Sequence, residues 1–185
     1  GVVESALAAE VPTTLVGRPF SNTAQVAYSD LDNVLGGRIA AKRLIERGCQ
    51  RIGIVTGPLD MVGARDRLHG WRNELAAHGM TASGIWHGEF TRPTGRAAGE
   101  AVVREGLPVD GLFVSSDLMA LGVLDAFHAH GVDVPGAVQL VGFDDISLGG
   151  YANPPLTTIT NPSFELAAAA AELLLQQLQT GEVPQ

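Results

Sequence analysis

The sequence predicts an α/β protein built on a doubly wound parallel sheet. Short runs rich in β-branched residues alternate along the chain with longer segments of helical periodicity. Strands that are separated by helices pair in parallel, through right-handed crossovers. One mostly apolar run, at 138–143, leads directly into the adjacent carboxylates Asp144 and Asp145. Because open parallel sheets bind ligands at the carboxyl ends of their strands, this junction predicts a binding site.

Six short segments are predicted as strands, at 13–17, 51–56, 84–89, 111–115, 139–143 and 157–159. Five longer segments are predicted as helices, at 34–47, 65–78, 94–105, 118–130 and 164–179. The first four of these helices each end at a glycine, which readily adopts the left-handed conformation that follows a helix. The pair Pro154 and Pro155 breaks any helix and starts extended backbone ahead of the last strand.

Composition bounds the class of protein. The chain has 185 residues, of which 45% are hydrophobic and 17% charged, enough for one domain or two small lobes with a buried core. The sequence shows neither a membrane-spanning run nor a signal peptide, and we expect no membrane partner. Cys49 is the single cysteine, which excludes an intrachain disulfide and fits the cytoplasm.

Charge argues against direct contact with nucleic acid. Twelve basic and twenty acidic residues give a net charge of −8, the opposite of the basic footprint that nucleic-acid binding requires. The one local basic cluster lies at 38–51 and contains Arg43 and Arg47. We interpret it as the solvated face of a helix, and a phosphate or nucleic-acid patch is the alternative.

Motifs typical of enzymes are missing. The sequence has no GxGxxG, GxSxG or HExxH motif and no glycine followed by Lys-Ser or Lys-Thr. His128 and His130 are two positions apart, so on a helix they point in different directions, and we predict no metal site and no cofactor. We expect no enzymatic activity. The alternative is an enzyme that acts on a sugar or a sugar phosphate, with Asp144 as its base.

Five residues beside predicted strand ends are candidates for ligand binding. Asp144 can accept hydrogen bonds from sugar hydroxyls, and Arg67 offers a rigid fork of donors. Phe90 can stack on an apolar ligand face, and Ser116 and Asp117 follow the strand at 111–115. Each has a structural alternative: a cap for the aspartates and the serine, favoured for Asp117, an ion pair for Arg67, and core packing for Phe90.

Five segments resemble the effector-binding region of the lactose-repressor/galactose-repressor (LacI/GalR) family of bacterial transcription regulators. They are VPTTLVGRP at 11–19, DNVLGGRIAAKRLIERGCQRIGIVTGP at 32–58, ARDRLHGWRNEL at 64–75, DGLFVSSDLMALGVLDAF at 110–127 and VQLVGFDDISLGGYANPPLTTITNP at 138–162. Together they span most of the chain.

The resemblance implies a fold similar to the sugar-binding proteins of the periplasm, with two α/β lobes joined by three crossings and the effector between them. Residues 32–160 would form the complete carboxyl-terminal lobe, while 1–31 and 161–185 would be parts of the amino-terminal lobe. The chain would then be part of a longer regulator. It would form a homodimer, and it would contact operator DNA only through a helix-turn-helix that is absent from this sequence.

The resemblance also transfers roles residue by residue. The family's sugar-contacting arginine corresponds to Arg67, its strand-end aspartate to Asp144 and its stacking aromatic residue to Phe90. Two positions depart from the family pattern: Ser116 replaces the usual asparagine, and Gly17, followed by Arg18, replaces a polar contact. These changes disfavour a simple hexose or pentose, and Arg18 would suit an anionic effector.

The predicted function is that of a cytoplasmic ligand-sensing and dimerisation region. Closure of the lobes around a small sugar-like effector would bias a two-state equilibrium and so change operator affinity in the intact regulator. The alternative is an extracytoplasmic sugar-binding protein of a transport system.

Overall fold

A computed structural model describes residues 1–21 and 25–184, which divide into two units. One unit is Asp32–Asn161, and the other combines Gly1–Leu31 with Pro162–Gln185. The elements in chain order are α1 Val2–Ala8, β1 Thr14–Val16, β2 Ala27–Ser29, α2 Asn33–Glu46, β3 Ile52–Thr56, α3 Val62–Ala77, β4 Gly84–His87, α4 Arg92–Arg104, β5 Gly111–Val114, α5 Asp117–Ala129, β6 Gln139–Asp144, α6 Ser147–Gly150, β7 Thr157–Thr160 and α7 Ser163–Thr180.

The larger unit is built on a five-stranded sheet with the strand order β4-β3-β5-β6-β7. Every neighbouring pair is parallel, with registers such as Ile54 beside Phe113 and Val141 beside Thr157. Strands β3 and β5 are buried along their whole length, as expected for a parallel sheet covered by helices on both faces. The predicted fold class is confirmed.

The helices of this unit are set by glycines at close approaches and at helix ends. Gly37 lies against the backbone of Arg67 and Gly70 against that of Val34, so α2 and α3 come closer than a side chain at either glycine would allow. The four glycines that follow α2, α3, α4 and α5 all have positive φ. This is the helix-ending conformation that the sequence predicts.

The smaller unit contains β1 and β2, which pair in parallel, and α7, which packs against both strands. The hydroxyl of Thr14 donates to the carbonyl of Ala170 at 3.0 Å and ties β1 to α7. Apolar side chains on α7 are nevertheless exposed, including Phe164 at 81% and Leu178 at 60%.

Three elements were not predicted from the sequence: α1, β2 and α6. Strand β2 and helix α6 have three and four residues, too few to show a periodicity. The spacing of Leu121 and Leu124 on α5 allows two arrangements: one side chain faces a partner molecule, or both are buried in the lobe. The structure shows the second arrangement, with both side chains buried at 7% and 4% exposure. Within the described residues, no helix has the length and apolarity needed to cross a membrane.

Candidate ligand site at the carboxyl edge of the sheet

The candidate site lies where β5, β6 and β7 end in the larger unit. Parallel strands bring their carboxyl ends to one edge, which places Asp144 of β6 beside the residues that follow β5. Arg67 reaches this edge from α3, and its Nη1 lies 3.9 Å from Oδ1 of Asp144. Two residues that are distant in sequence and were both predicted as ligand contacts therefore lie together.

The guanidinium of Arg67 is held in a fixed orientation. Its Nε donates to Oδ1 of Asn33 at 2.8 Å, and its Nη1 donates to the carbonyl of Ser115 at 2.6 Å. Its Cζ lies 3.6 Å from the centre of the Phe143 ring, within range of a cation–π interaction. The side chain is only 11% exposed. This packing presents a rigid, positively charged plane at the strand ends.

The carboxylate of Asp144 is 28% exposed and accepts a hydrogen bond from Nδ2 of Asn161 at 3.3 Å. Burial raises its pKa above the usual value, and the charge of Arg67 and the hydrogen bond from Asn161 oppose that shift. Asp144 does not cap α6, whose N-cap is Ile146. It is therefore an acceptor held at the edge of the sheet.

The backbone around the two aspartates is strained. Asp144 has φ +109° and Asp145 has φ +58°, in the region that favours glycine. Phe90, which follows β4, has φ +56°. Left-handed residues other than glycine cost free energy and are often found at functional sites. Three of them border the carboxyl edge of one sheet, which supports a binding function there.

Phe90 fits both interpretations made from the sequence. Its ring is partly buried against the core of the larger unit and occupies the space beside Gly57. The ring centre also lies 5.8 Å from Cζ of Arg67. A ligand that contacts Arg67 would therefore have an aromatic wall close by.

Ser116 and Asp117 have different positions in the structure. Ser116 is the N-cap of α5, and its Oγ accepts from the Met119 amide at 3.3 Å. The interpretation of Asp117 as a cap is therefore wrong, because Asp117 begins the helix and is fully buried.

The Asp117 carboxylate instead fixes the segment between β6 and β7. Its oxygens accept from the hydroxyl of Thr158 at 2.7 Å and from the Ile146 amide at 3.0 Å. Burial raises the pKa of Asp117 above its usual value, and these hydrogen bonds oppose the shift. These contacts favour a positioning role, and a direct ligand contact by Asp117 stays a prediction.

Arg18 belongs to the smaller unit, where it is exposed and follows Gly17 at the end of β1. Gly17 has φ +96°, which suits glycine at this position. The contribution of Arg18 to an effector site remains a prediction.

Three residues at the edge were missed from the sequence: Asn33, Phe143 and Asn161. Asn33 lies at the start of a helix, and Phe143 is a core residue of an apolar strand. Neither position in the sequence indicates contact with Arg67. Oδ1 of Asn161 is buried and has no hydrogen-bond partner among the described residues. An acceptor in that state suits a ligand that carries hydroxyl donors.

No cluster of three potential metal ligands occurs in the described part of the chain.

Comparison with known proteins shows the same class of domain. The sequence profile described as "Periplasmic binding protein-like domain" matches residues 41–185. The transcriptional regulator CelR of Thermobifida fusca is 40% identical over 177 residues, covering 94% of this chain and 52% of the relative. The ribose operon repressor of Escherichia coli K12 is 33% identical, covering 91% of this chain and 51% of the relative.

Solved structures agree with these relatives. The complex of CelR with cellobiose superimposes with a TM-score of 0.89 at 38% identity, covering 94% of this chain and 54% of that one. A LacI-type regulator from Bacillus cereus gives a TM-score of 0.91 at 30% identity, covering 98% and 65%.

The parallel sheet with a polar carboxyl edge thus defines a periplasmic-binding-protein-like domain. The chain belongs to that family, and the relatives that it matches include transcriptional regulators of the LacI type. It spans about half the length of the curated relatives it matches.

Proposed function

We propose that this chain is the effector-sensing part of a bacterial transcriptional regulator, acting in the cytoplasm, where operator DNA is found. The observation that carries the proposal is the fixed guanidinium of Arg67 beside the partly buried carboxylate of Asp144. A rigid donor plane next to a strong acceptor recognises a ligand whose groups both donate and accept hydrogen bonds. Sugar hydroxyls do both.

The effector we propose is a sugar, and cellobiose is the first candidate to test. The similarity to CelR, whose solved structure contains cellobiose, supports this choice. The aromatic ring of Phe90 supports it as well, because the apolar face of a sugar ring packs on aromatic side chains. An anionic effector bound with the help of Arg18 is the competing proposal, and charged and neutral sugars distinguish the two.

Binding of the effector is proposed to act on the intact regulator by shifting a two-state equilibrium. The shift cannot exceed the difference in the affinity of the two states for the ligand. Arg67 and Asp144 are the groups whose contacts with a ligand would supply that difference. No chemical step on the ligand is needed, and the relatives reported above are transcriptional regulators.

A homodimer is part of the proposal, because two-fold symmetric regulators read paired half-sites on DNA. Leu148 and Tyr151, in and directly after α6, are exposed apolar side chains at 59% and 88%. We propose that they contribute to the dimer contact in place of Leu121 and Leu124. The transport-protein alternative is not favoured, since the relatives are regulators.

Calorimetric titration with cellobiose, ribose and a sugar phosphate tests the site. We expect Arg67→Lys to weaken binding of the sugar by at least about tenfold, because a point charge cannot hold the orientation set by Asn33 and Ser115. Arg72→Lys is the matched control, since Arg72 is an exposed arginine on the same helix. No binding of any of these sugars, or an equal effect of both variants, would contradict a site at Arg67.

A further inference from the structure

A second concave surface of the larger unit lies at the opposite, amino edge of the sheet. It is bounded by the last turns of α2, the first residues of β6 and β7, and the prolines Pro135 and Pro155. β6 runs from Gln139 at this pocket to Asp144 at the candidate effector site. Five strand steps separate these residues, or about 17 Å at ~3.3 Å per residue. The pocket is therefore distinct from the effector site.

The pocket has the size and walls of a site for one small ring. Its volume is about 120 Å³, close to the ~150 Å³ of an apolar cavity that binds benzene. Leu44, Leu124, Leu140 and Leu156 contribute to the walls, and the first three are buried side chains of the core. An apolar ring in this space would be removed from water against rigid surfaces.

The charged side chains of the pocket lining are both arginines, which only donate hydrogen bonds. Arg47 and Gln139 bond to each other twice, from Nε of Arg47 to Oε1 of Gln139 and from Nε2 of Gln139 to the Arg47 carbonyl, both at 3.2 Å. Both the oxygen and the nitrogen of the Gln139 side-chain amide are therefore engaged in hydrogen bonds. Arg43 also lines the pocket, and its guanidinium has no hydrogen-bond or ion-pair partner among the described residues.

The charge of this pocket is opposite to that of the protein. The chain has a net charge of −8, yet the described pocket lining includes two arginines and no aspartate or glutamate. Guanidinium groups beside an apolar wall recognise a carboxylate that is attached to an apolar body. A neutral sugar fits less well, because it has no negative charge to pair with the two guanidinium groups.

We propose that this pocket binds a small organic anion, a carboxylate carried on an apolar ring, at a site separate from that of the sugar. The carboxylate would accept hydrogen bonds from Arg43 at the rim, and the ring would pack against Leu124 and Leu156. Part of the basic cluster at 38–51 would then be a binding surface. The competing explanation is that Arg43 and Arg47 only offset the negative end of the α2 dipole.

Benzoate is the probe for this pocket, and the readout is the methyl resonances of Leu124 and Leu156 in an NMR titration of the 185-residue protein. We expect saturable shifts of these methyl groups with benzoate and much weaker shifts with benzyl alcohol, which has the same ring and no charge. Arg43→Gln should weaken benzoate binding by about fivefold or more, since it removes a charge-assisted contact.

Lys42→Gln is the matched control, because Lys42 is the neighbouring exposed cation on α2 and does not line the pocket. Lys42→Gln should change the affinity for benzoate by less than about twofold. That is the effect expected when one positive charge is lost outside the pocket and is screened by solvent and salt. Arg67→Lys should leave benzoate affinity unchanged. The proposal is overturned if benzoate produces no saturable shifts, if Arg67→Lys abolishes them, or if the variants at Arg43 and Lys42 have equal effects.

Discussion

Replacing Asp144 by asparagine should make the protein more stable and a poorer binder of its effector. Asparagine is nearly the same size as aspartate and tolerates the positive φ at this position better than most residues. Its side-chain oxygen can still accept from Nδ2 of Asn161, so the local contact is kept. The variant therefore removes a charge with little change in shape.

The gain in stability follows from the pKa of Asp144. Burial raises that pKa in the folded protein, so the folded state holds the proton more tightly than the unfolded state. The free energy of unfolding of the parent protein then falls as the pH rises through the folded-state pKa. At neutral pH the partly buried negative charge destabilises the folded state. Asp144→Asn removes this cost. Its advantage should shrink as the pH is lowered toward the ordinary pKa of an aspartate, and urea unfolding at several pH values measures it.

The loss of binding follows from the charge of the acceptor. Hydrogen bonds to a charged group contribute about 2–3 kcal/mol, or about 30- to 150-fold in affinity. Calorimetric titration with cellobiose measures the change, and Asp145→Asn is the control, because Asp145 is the adjacent, exposed carboxylate. A variant less stable than the parent at neutral pH would refute the argument from burial. Unchanged affinity would refute the assignment of Asp144 to the site.

Three further predictions concern the fold, DNA and self-association. Asp117→Ala should lower the free energy of unfolding by about 2–4 kcal/mol in urea, because it leaves the partly buried donors of Thr158 and Ile146 without their acceptor. Asp145→Ala should cost less, and equal costs would contradict the positioning role of Asp117. The chain should not shift duplex DNA in a low-salt mobility assay, since its net charge of −8 opposes the phosphate backbone, and specific operator binding would contradict its assignment as the sensing region. Sedimentation over a wide concentration range should show association that Leu148→Glu abolishes without unfolding the protein, and a parent protein that stays monomeric would contradict the proposed contact.

The elements of the larger unit were predictable because their signals are local. Buried parallel strands are short apolar runs, and the helices between them end at glycines whose positive φ the structure shows. The order of these elements leads to a parallel sheet, and the sheet in turn places the strand ends at one edge. Asp144 could be named as a candidate for that reason alone.

The orientation of Arg67 could not be read from the sequence, because it depends on partners from separate elements. Asn33 from α2, the Ser115 carbonyl after β5 and the Phe143 ring of β6 meet at this guanidinium only in the folded chain. Asp117 shows the same limit. Its place beside Ser116 suggests a helix cap, but in the fold Ser116 is the cap and Asp117 fixes a loop about 30–40 residues further along the chain.

The sequence by itself determined the fold class, the edge of the sheet that carries the candidate site and the negative charge that opposes DNA. These follow from periodicity, composition and the geometry of parallel strands, which act over a few residues or over the whole chain. The tertiary structure alone decided which side chains are buried together, such as Arg67 over Phe143 and the leucines behind Arg43. Such contacts depend on close packing between elements that are distant in sequence, and they form only when the chain has folded.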